Sequence, residues 1–470
     1  MSPGPVVPLA ACGNVGSPSR AAMQPTLDFH REKPLVVAVE MGYGHLRAAR
    51  PLARLLGVET TLVDKPPLVG PDEQRLWERV RRAYELTSRL SQLPVVGLPL
   101  RWVLDAVTDI PHLHPYRDLS APTNGVLTLE RLIRRNLGQG LVERMRGTGA
   151  PLLSTFYSPA IAADRAGLDN LFCVVTDSDI NRVWAPVAPE RTSIRYLVPT
   201  QRAGRRLRSY GVPAHRITFT GFPLPHELVG GHGLSALRRN LAARLVRLDP
   251  TREFRRAFRD ELHHFLGGLP SEEEEGRPLL LTFAVGGAGA QAGLARHFLP
   301  SLRPAIEGGR LRLALVAGVR PEVAERFREE LERAGLEGAP GVTILLARDL
   351  EEYFGRFDEL LAGTDVLWTK PSELTFYGAL GLPIVCAPPV GVHERYNRRW
   401  ATESGAALRQ RDARFAWEWI SDWLEDGALA GAAWSGFMRM PKFGLYHILE
   451  AVGGSPPEAV PEWASGQVAG

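Results

Sequence analysis

The stretch from Leu279 to Asn397 constrains this chain more than any other. It opens with Leu279-Leu280-Leu281-Thr282-Phe283-Ala284-Val285 and runs directly into Gly286-Gly287-Ala288-Gly289-Ala290-Gln291. An apolar run of this length, bounded by glycine, reads as a strand buried on both faces of a parallel sheet. Glycines ahead of a helix start leave backbone N–H groups bare, and the helix dipole favours negative charge there, so a diphosphate is the ligand class such a turn accepts. Many α/β proteins turn on Gly-Gly without a ligand, so the turn alone does not decide. The same stretch continues with Trp368-Thr369-Lys370-Pro371-Ser372-Glu373-Leu374, then Gly381-Leu382-Pro383-Ile384-Val385, and closes with Glu394-Arg395-Tyr396-Asn397.

The same grammar occurs earlier in the chain. Pro34 to Glu40 reads as a buried strand, Met41-Gly42-Tyr43-Gly44-His45-Leu46-Arg47-Ala48-Ala49 as a glycine loop entering a helix, and Val58 to Val63 as the next strand. Strand, loop, helix, strand is the βαβ start of a doubly wound sheet. Further strands are expected at Pro151–Phe156, Leu171–Asp177 and Arg195–Thr200, with helices at Arg75–Leu90, Leu129–Arg146 and Gln201–Tyr210, and the segment Ile217–Pro223 follows without an assigned element. After the Leu279 strand come strands at Leu311–Ala317, Val342–Leu346, Asp365–Trp368 and Pro383–Ala387, alternating with helices at Pro321–Ala334, Leu350–Leu361 and Ser372–Leu380. A chain of 470 residues is too long for one ordinary core. The expected class is α/β, with two Rossmann-like domains whose parallel sheets face a central cleft, the default ligand site.

The expected division is a disordered leader at 1–33, a first domain at 34–226 with a helical insertion at 71–146, and an interdomain helical linker at 227–277. A second domain at 278–408, helices at 409–455 and a disordered tail at 456–470 follow. Leu9-Ala10-Ala11-Cys12 imitates a lipoprotein cleavage box, but no basic residue precedes it and its apolar run is too short.

Hydrophobic residues make up 44% of the chain and charged residues 23%, ordinary for a globular protein. A net charge of +4 permits an acidic ligand or an anionic membrane surface without demanding nucleic acid. Four of the 56 basic residues are lysines, an arginine bias that discounts arginine clusters as phosphate sites. Cys12, Cys173 and Cys386 are far apart and imply neither a disulfide framework nor a metal cluster, which fits a reducing, cytoplasmic compartment. No apolar run approaches the roughly 18 residues of a membrane-spanning helix. Arg75, Arg79, Arg82 and Arg89 accompany an apolar stripe, followed by the apolar, proline-punctuated Leu93–Val107. That pattern suits either a helix lying on a bilayer or an insertion packed on its domain with solvated arginines. The tryptophans Trp417, Trp419, Trp423 and Trp434 read as packing surface rather than a ligand platform.

Taken in order, these segments resemble the GT-B glycosyltransferases, in particular the branch of the peptidoglycan lipid-intermediate N-acetylglucosaminyltransferase and the diacylglycerol glucosyl- and galactosyltransferases. Gly42-Tyr43-Gly44-His45-Leu46-Arg47-Ala48-Ala49 is similar to the family's G-x-G-H-x-x-A-A loop, and Thr176-Asp177 with Trp184 to its T-D…W segment. Val198-Pro199-Thr200 through Gly221-Phe222-Pro223 follows the V-P-S…V-T-G-x-P run. Gly286, Gly287 and Gly289 match the turn that holds the donor diphosphate. Lys370-Pro371-Ser372, Gly381-Leu382-Pro383 and Glu394 with Asn397 match K-P-G, G-L-P and E-x-x-N of the donor site. Three positions depart from the pattern. Phe376 falls, without gaps, where the family has its ribose-binding glutamate, with Glu373 three residues earlier; Asn181 replaces a histidine; and Glu373 replaces the second glycine of K-P-G-G.

The resemblance implies transfer of a hexose or N-acetylhexosamine from a nucleotide-diphosphate sugar to an acceptor hydroxyl, with a uridine nucleotide the family's preference that Phe376 at the ribose position leaves open. It implies His45 as base, with Asp177 orienting it or the acceptor, and Gly42 and Gly44 as the acceptor-side loop. It implies Gly286, Gly287, Gly289, Lys370, Ser372, Glu373, Glu394 and Asn397 as the donor side. For Lys370 a strand-end salt bridge, and for Asp177, Glu373, Glu394 and Asn397 a helix-capping role, are the rival readings. No cofactor and no metal are implied, since the sugar nucleotide is itself the donor substrate. Asp177-Ser178-Asp179 spells the D-x-D metal motif of the other glycosyltransferase fold and is discounted, and His112, His114, His263 and His264 lack partners at metal spacing. The acceptor stays open, a lipid at the inner face of the cell membrane among the options, which would make the protein peripheral. A nucleotide-sugar 2-epimerase and a non-catalytic sugar-nucleotide-binding relative are the alternatives.

Overall fold

The computed structural model describes residues 32–90, 110–272, 276–285 and 291–453. It contains two six-stranded sheets, and every strand pairing is parallel. The first sheet is ordered β2-β1-β3-β4-β5-β6, from β1 (Leu35–Ala38), β2 (Thr61–Leu62), β3 (Leu152–Ser154), β4 (Leu171–Val174), β5 (Arg195–Val198) and β6 (Ile217–Phe219). The second is ordered β12-β11-β10-β7-β8-β9, from β7 (Leu279–Ala284), β8 (Leu311–Gly318), β9 (Val342–Leu346), β10 (Val366–Thr369), β11 (Ile384–Cys386) and β12 (Ala407–Arg409). Every residue of β3, β4, β7, β10 and β11 is buried, as expected for strands covered on both faces by crossover helices.

In each sheet the strand order reverses beside its first strand. The chain goes from β1 to β2 on one side and then to β3 on the other; it goes from β7 to β8 and β9 and then returns through β10. Ligands of open α/β sheets bind beyond the carboxyl ends of the strands at such a switch point. Residues following β1 and β4 touch residues following β10 and β11, so the two switch points face one another across a cleft. This is the GT-B arrangement.

Several local expectations change. The strand expected at Val58–Val63 is only Thr61–Leu62, a short edge. The expected Leu129–Arg146 helix is two, α3 (Asn124–Arg134) and α4 (Gln139–Met145), after α1 (Tyr43–Leu56) and α2 (Pro71–Leu90). Asn136 and Gly138 take positive φ between α3 and α4 and break the helical run. Ser372–Leu380 forms not an α-helix but a 3-10 helix, Glu373–Leu380. The edge strands β6 and β12 have no counterpart among the expected strands.

Arginines discounted by composition are structural. Arg244, on a helix from Ser235 to Leu248 between the sheets, is 1% exposed and donates to the carbonyls of Thr364, Leu380 and Gly381 at 2.7, 3.1 and 3.0 Å. Trp419, Trp423 and Trp434 are buried, and Trp419 packs edge-on against Trp368 at 5.3 Å. The C-terminal helix Gly444–Val452 returns to the first domain, where His447 Nδ1 lies 3.0 Å from the Thr220 carbonyl oxygen. Cys173 and Cys386 are buried within strands.

Candidate active site in the interdomain cleft

His45 enters the cleft because Gly42 turns the chain at φ 119°, ψ 163°, a conformation open to glycine and closed to side chains. Its ring is held from the first sheet. Nδ1 lies 2.8 Å from the Thr155 carbonyl oxygen beyond β3, and the Thr155 hydroxyl donates back to the His45 carbonyl at 2.9 Å. A carbonyl only accepts, so Nδ1 carries the proton and Nε2 keeps its lone pair. The Thr176 hydroxyl is 3.1 Å from the same Nδ1, and Phe156 packs edge-on against the ring at 4.6 Å. Burial pushes the imidazole below its ordinary value of 6.5, and His393 adds to that. Asp177, the Thr155 bond and Glu373 pull the other way without overcoming it. At neutral pH the ring is therefore a neutral base.

The two carboxylates near His45 come from opposite domains. Asp177, beyond β4, accepts from Asn397 Nδ2 at 3.0 Å, while the Ser178 N–H donates to Asn397 Oδ1 at 2.8 Å. Asn397 lies on the helix Val392–Glu403 and is completely buried. Glu373 accepts from Arg47 Nε at 3.2 Å. Its Oε2 sits 3.1 Å from where a β-carbon on residue 44 would stand, so Gly44 is small because this carboxylate approaches the first turn of α1.

Lys370 and Glu394 form an ion pair of 2.8 Å, and the second oxygen of Glu394 accepts from the Val390 N–H at 2.7 Å. Burial works to raise the Glu394 carboxyl, but Lys370, His393 and the Val390 N–H outweigh it and hold it below the usual range. The strand-end salt bridge is present for Lys370, while Glu394 ties its own helix back to the Val390 N–H, one residue ahead of the N-cap Gly391, rather than capping the helix. Ser372 is buried, and its hydroxyl has no hydrogen-bond partner among the described residues. Gly286, Gly287 and Gly289 lie outside the described residues.

Phe376 does not line the cleft. It is 3% exposed, stacks on Phe222 at 4.8 Å with the rings 5° apart, and joins the interior between the domains. The carboxylate that reaches the cleft from this segment is Glu373. Asp179, the last residue of the D-x-D match, is fully buried and ion-paired with Arg202 and Arg206 at 2.9 and 2.8 Å. Among the described residues no group of three or more His, Cys, Asp or Glu could hold a metal ion.

The structure thus brings His45, Asp177, Glu373 and Asn397 together, with Lys370 and Glu394 paired beside them. Sequence reasoning missed Thr155, Arg47 and His393. Arg47 lies inside the quoted G-x-G-H-x-x-A-A match at an unspecified position, and His393 immediately precedes Glu394 of E-x-x-N; adjacency to a motif was the available signal for both.

No family model matches the chain, and no curated protein matches it. Among solved structures it is similar to MurG from Acinetobacter baumannii, with 12% identity, 90% of this chain and 99% of that chain covered, and a TM-score of 0.46. It is similar to the UDP-GlcNAc 2-epimerase from Neisseria meningitidis bound to UDP-GlcNAc, with 10% identity, 89% and 99% covered, and a TM-score of 0.45. Alr3699/HepE from Anabaena in complex with UDP and glucose shows 13% identity, 89% and 98% covered, and a TM-score of 0.43. Similarity at this level assigns no activity.

Proposed function

We propose that this protein transfers a hexosyl or N-acetylhexosaminyl group from a nucleotide-diphosphate sugar to an acceptor hydroxyl, with His45 Nε2 as the general base. The observation that carries the reading is the tautomer lock. The Thr155 carbonyl holds the proton on Nδ1, leaving a neutral imidazole with its lone pair on Nε2, on a glycine loop at a topological switch point. Such a base accepts the acceptor hydroxyl proton as the hydroxyl oxygen attacks the anomeric carbon and the nucleoside diphosphate leaves. Lys370, with the second-domain glycine turn, is the proposed electrostatic support for that diphosphate.

A panel of nucleotide diphosphates and their sugars, uridine nucleotides first, tests the donor site by thermal shift. A ligand at about 100 times its dissociation constant adds roughly 2.7 kcal/mol to the folded state. His45→Ala is expected to keep that shift and to lose about 10²- to 10⁴-fold in turnover. Equal turnover in both proteins would remove His45 from the chemistry. An epimerase is recognised by an isomerised sugar nucleotide formed without any acceptor.

One observation favours a second, non-catalytic reading. Glu373, Glu394, Lys370 and Asn397 all have partners within the protein. If no nucleotide shifts the melting temperature, that reading leads.

For the acceptor we propose a lipid at a membrane surface, on the basis of α2. Arg75, Arg79 and Arg82 are exposed on it while Trp77 packs inward at 2% exposure. No described helix is long and apolar enough to cross a membrane. The segment Leu93–Val107 lies outside the described residues. Sedimentation with anionic liposomes that survives charge reversal of the three arginines would exclude this surface.

A further inference from the structure

We propose that Arg47 is a positioning residue that couples closure of the second domain to the placement of His45. The proposal rests on the reading of His45 as the base, and goes beyond it by naming what sets that base in register with the donor side.

Arg47 follows His45 by two residues in the first turn and a half of α1, yet its side chain leaves its own domain. The guanidinium carbon lies 4.7 Å from the Phe357 ring centre, 5.1 Å from Phe354, 5.5 Å from Tyr353 and 5.9 Å from Tyr377. All four rings belong to the second domain, three on the helix Leu350–Gly363 and one on the 3-10 helix that carries Glu373. Nε donates to Glu373 and Nη2 to the Tyr353 hydroxyl at 3.0 Å. The residue is 3% exposed. Burial works against its charge, but Tyr353, Tyr377, Glu373 and Asp358 outweigh that effect and keep it cationic. A planar cation enclosed by ring faces and bonded at its edge has one seat, unlike a surface ion pair.

His45 has the complementary set of ties. Its ring is hydrogen-bonded to Thr155 and Thr176, both of the first domain. The first turns of α1 therefore have one side chain fixed by each domain. One turn on, Arg50 Nη1 meets Asp358 Oδ2 at 2.8 Å and holds α1 at a second point on the same helix. When the domains part, Arg47 leaves its cage, and Glu373 leaves the neighbourhood of the imidazole with it. Closure thus brings in both the geometry of the base and a carboxylate that supports its protonated form. The charged and titratable groups facing the ring are Asp177 from the first domain and Glu373 and His393 from the second.

The test uses the full chain with Arg47→Met, which keeps length and apolar packing, Arg47→Lys, which keeps charge, and Glu373→Gln, which keeps an acceptor for Arg47. Turnover in Arg47→Met is expected to fall roughly 10- to 100-fold, with nucleotide affinity changed by less than about twofold and partial rescue in Arg47→Lys. Arg47→Met frees the Glu373 charge, so the His45 titration midpoint moves up; Glu373→Gln moves it down. That midpoint is followed by NMR of labelled histidine, assigned by the resonance lost in His45→Ala, and requires no turnover. The coupling is therefore judged even if the transferase reading fails. Midpoints unchanged in both variants would overturn the proposal. So would turnover and affinity falling together in Arg47→Met, or turnover left intact. If Arg47→Met does not fold, Arg47→Lys and Tyr353→Phe supply the same comparison, with unchanged midpoint and turnover overturning it.

Discussion

Asn397 Nδ2 donates to Asp177 Oδ1 across the cleft at 3.0 Å, and the same amide accepts from the Ser178 N–H at 2.8 Å. One completely buried side chain from the second domain thereby satisfies a carboxylate and a backbone donor of the first. With Arg47 and Glu373 on the other flank of His45, the candidate base stands between two polar clasps. Two of the residues that the resemblance assigns to the donor, Glu373 and Asn397, join the domains.

Removing the first clasp should be felt in stability. Asn397→Ala leaves the Ser178 N–H and part of Asp177 without their partner, at an expected cost of about 1–3 kcal/mol. Asn397→Asp should cost more, because it sets a second carboxylate against Asp177. Denaturant midpoints at constant slope measure both; an aspartate variant as stable as wild type would show that this contact opens freely in solution.

The pH profile of turnover should follow the charges around His45. Asp177 raises the imidazole, which burial has already lowered below 6.5. In Asp177→Asn that support is gone, so the acid limb of kcat/KM should move to lower pH. A limb moving upward would place the titrating base elsewhere.

Asp358 supplies a pH signature of folding. Burial pushes its carboxyl up to about 6, against pulls from Arg47 and Arg50, with Glu227 pushing the same way as burial. An unfolded aspartate releases its proton near 3.8. Between these values the folded state holds more protons, so this group's contribution to stability falls as pH rises from about 4 to about 6 and is level above. In Asp358→Asn the slope disappears, and the variant should gain relative to wild type across that window. Stability measured by denaturant at several pH values checks the sign, and a relative loss across it would contradict the account.

Backbone geometry at the loop is a separate matter from contacts. No atom lies within 4 Å of a β-carbon built on Gly42, so Gly42→Ala is opposed only by its φ of 119°. The expected loss is about 1–3 kcal/mol, with His45 displaced and turnover reduced. Gly149→Ala, at an open position with ordinary φ, is the control and should be close to neutral. Equal thermal midpoints for the two variants would show that the loop tolerates another conformation.

Much of this architecture is legible locally. Apolar runs such as Leu171–Val174 and Leu279–Ala284 are buried along their whole length, and parallel strands covered on both faces leave that trace in any sequence. The glycine loop ahead of His45 is equally legible, because the backbone there needs glycine whatever surrounds it. The boundaries of α3 and α4 were less so, since Asn136 adopts a positive φ that no hydrophobic periodicity announces.

The sequence by itself determined two α/β halves and the glycine loop that carries His45, because hydrophobic period and glycine placement act over a few residues. Only the tertiary structure decided which groups meet. Thr155 sets the tautomer of a histidine 110 positions away, Arg47 reaches a glutamate 326 positions away, and Asn397 reaches across 220 to Asp177. It also decided that Glu373 faces the cleft while Phe376 stacks on Phe222 within the interior. Those pairings follow from how two finished sheets dock, and docking depends on the shape and charge of whole surfaces, which no local pattern encodes.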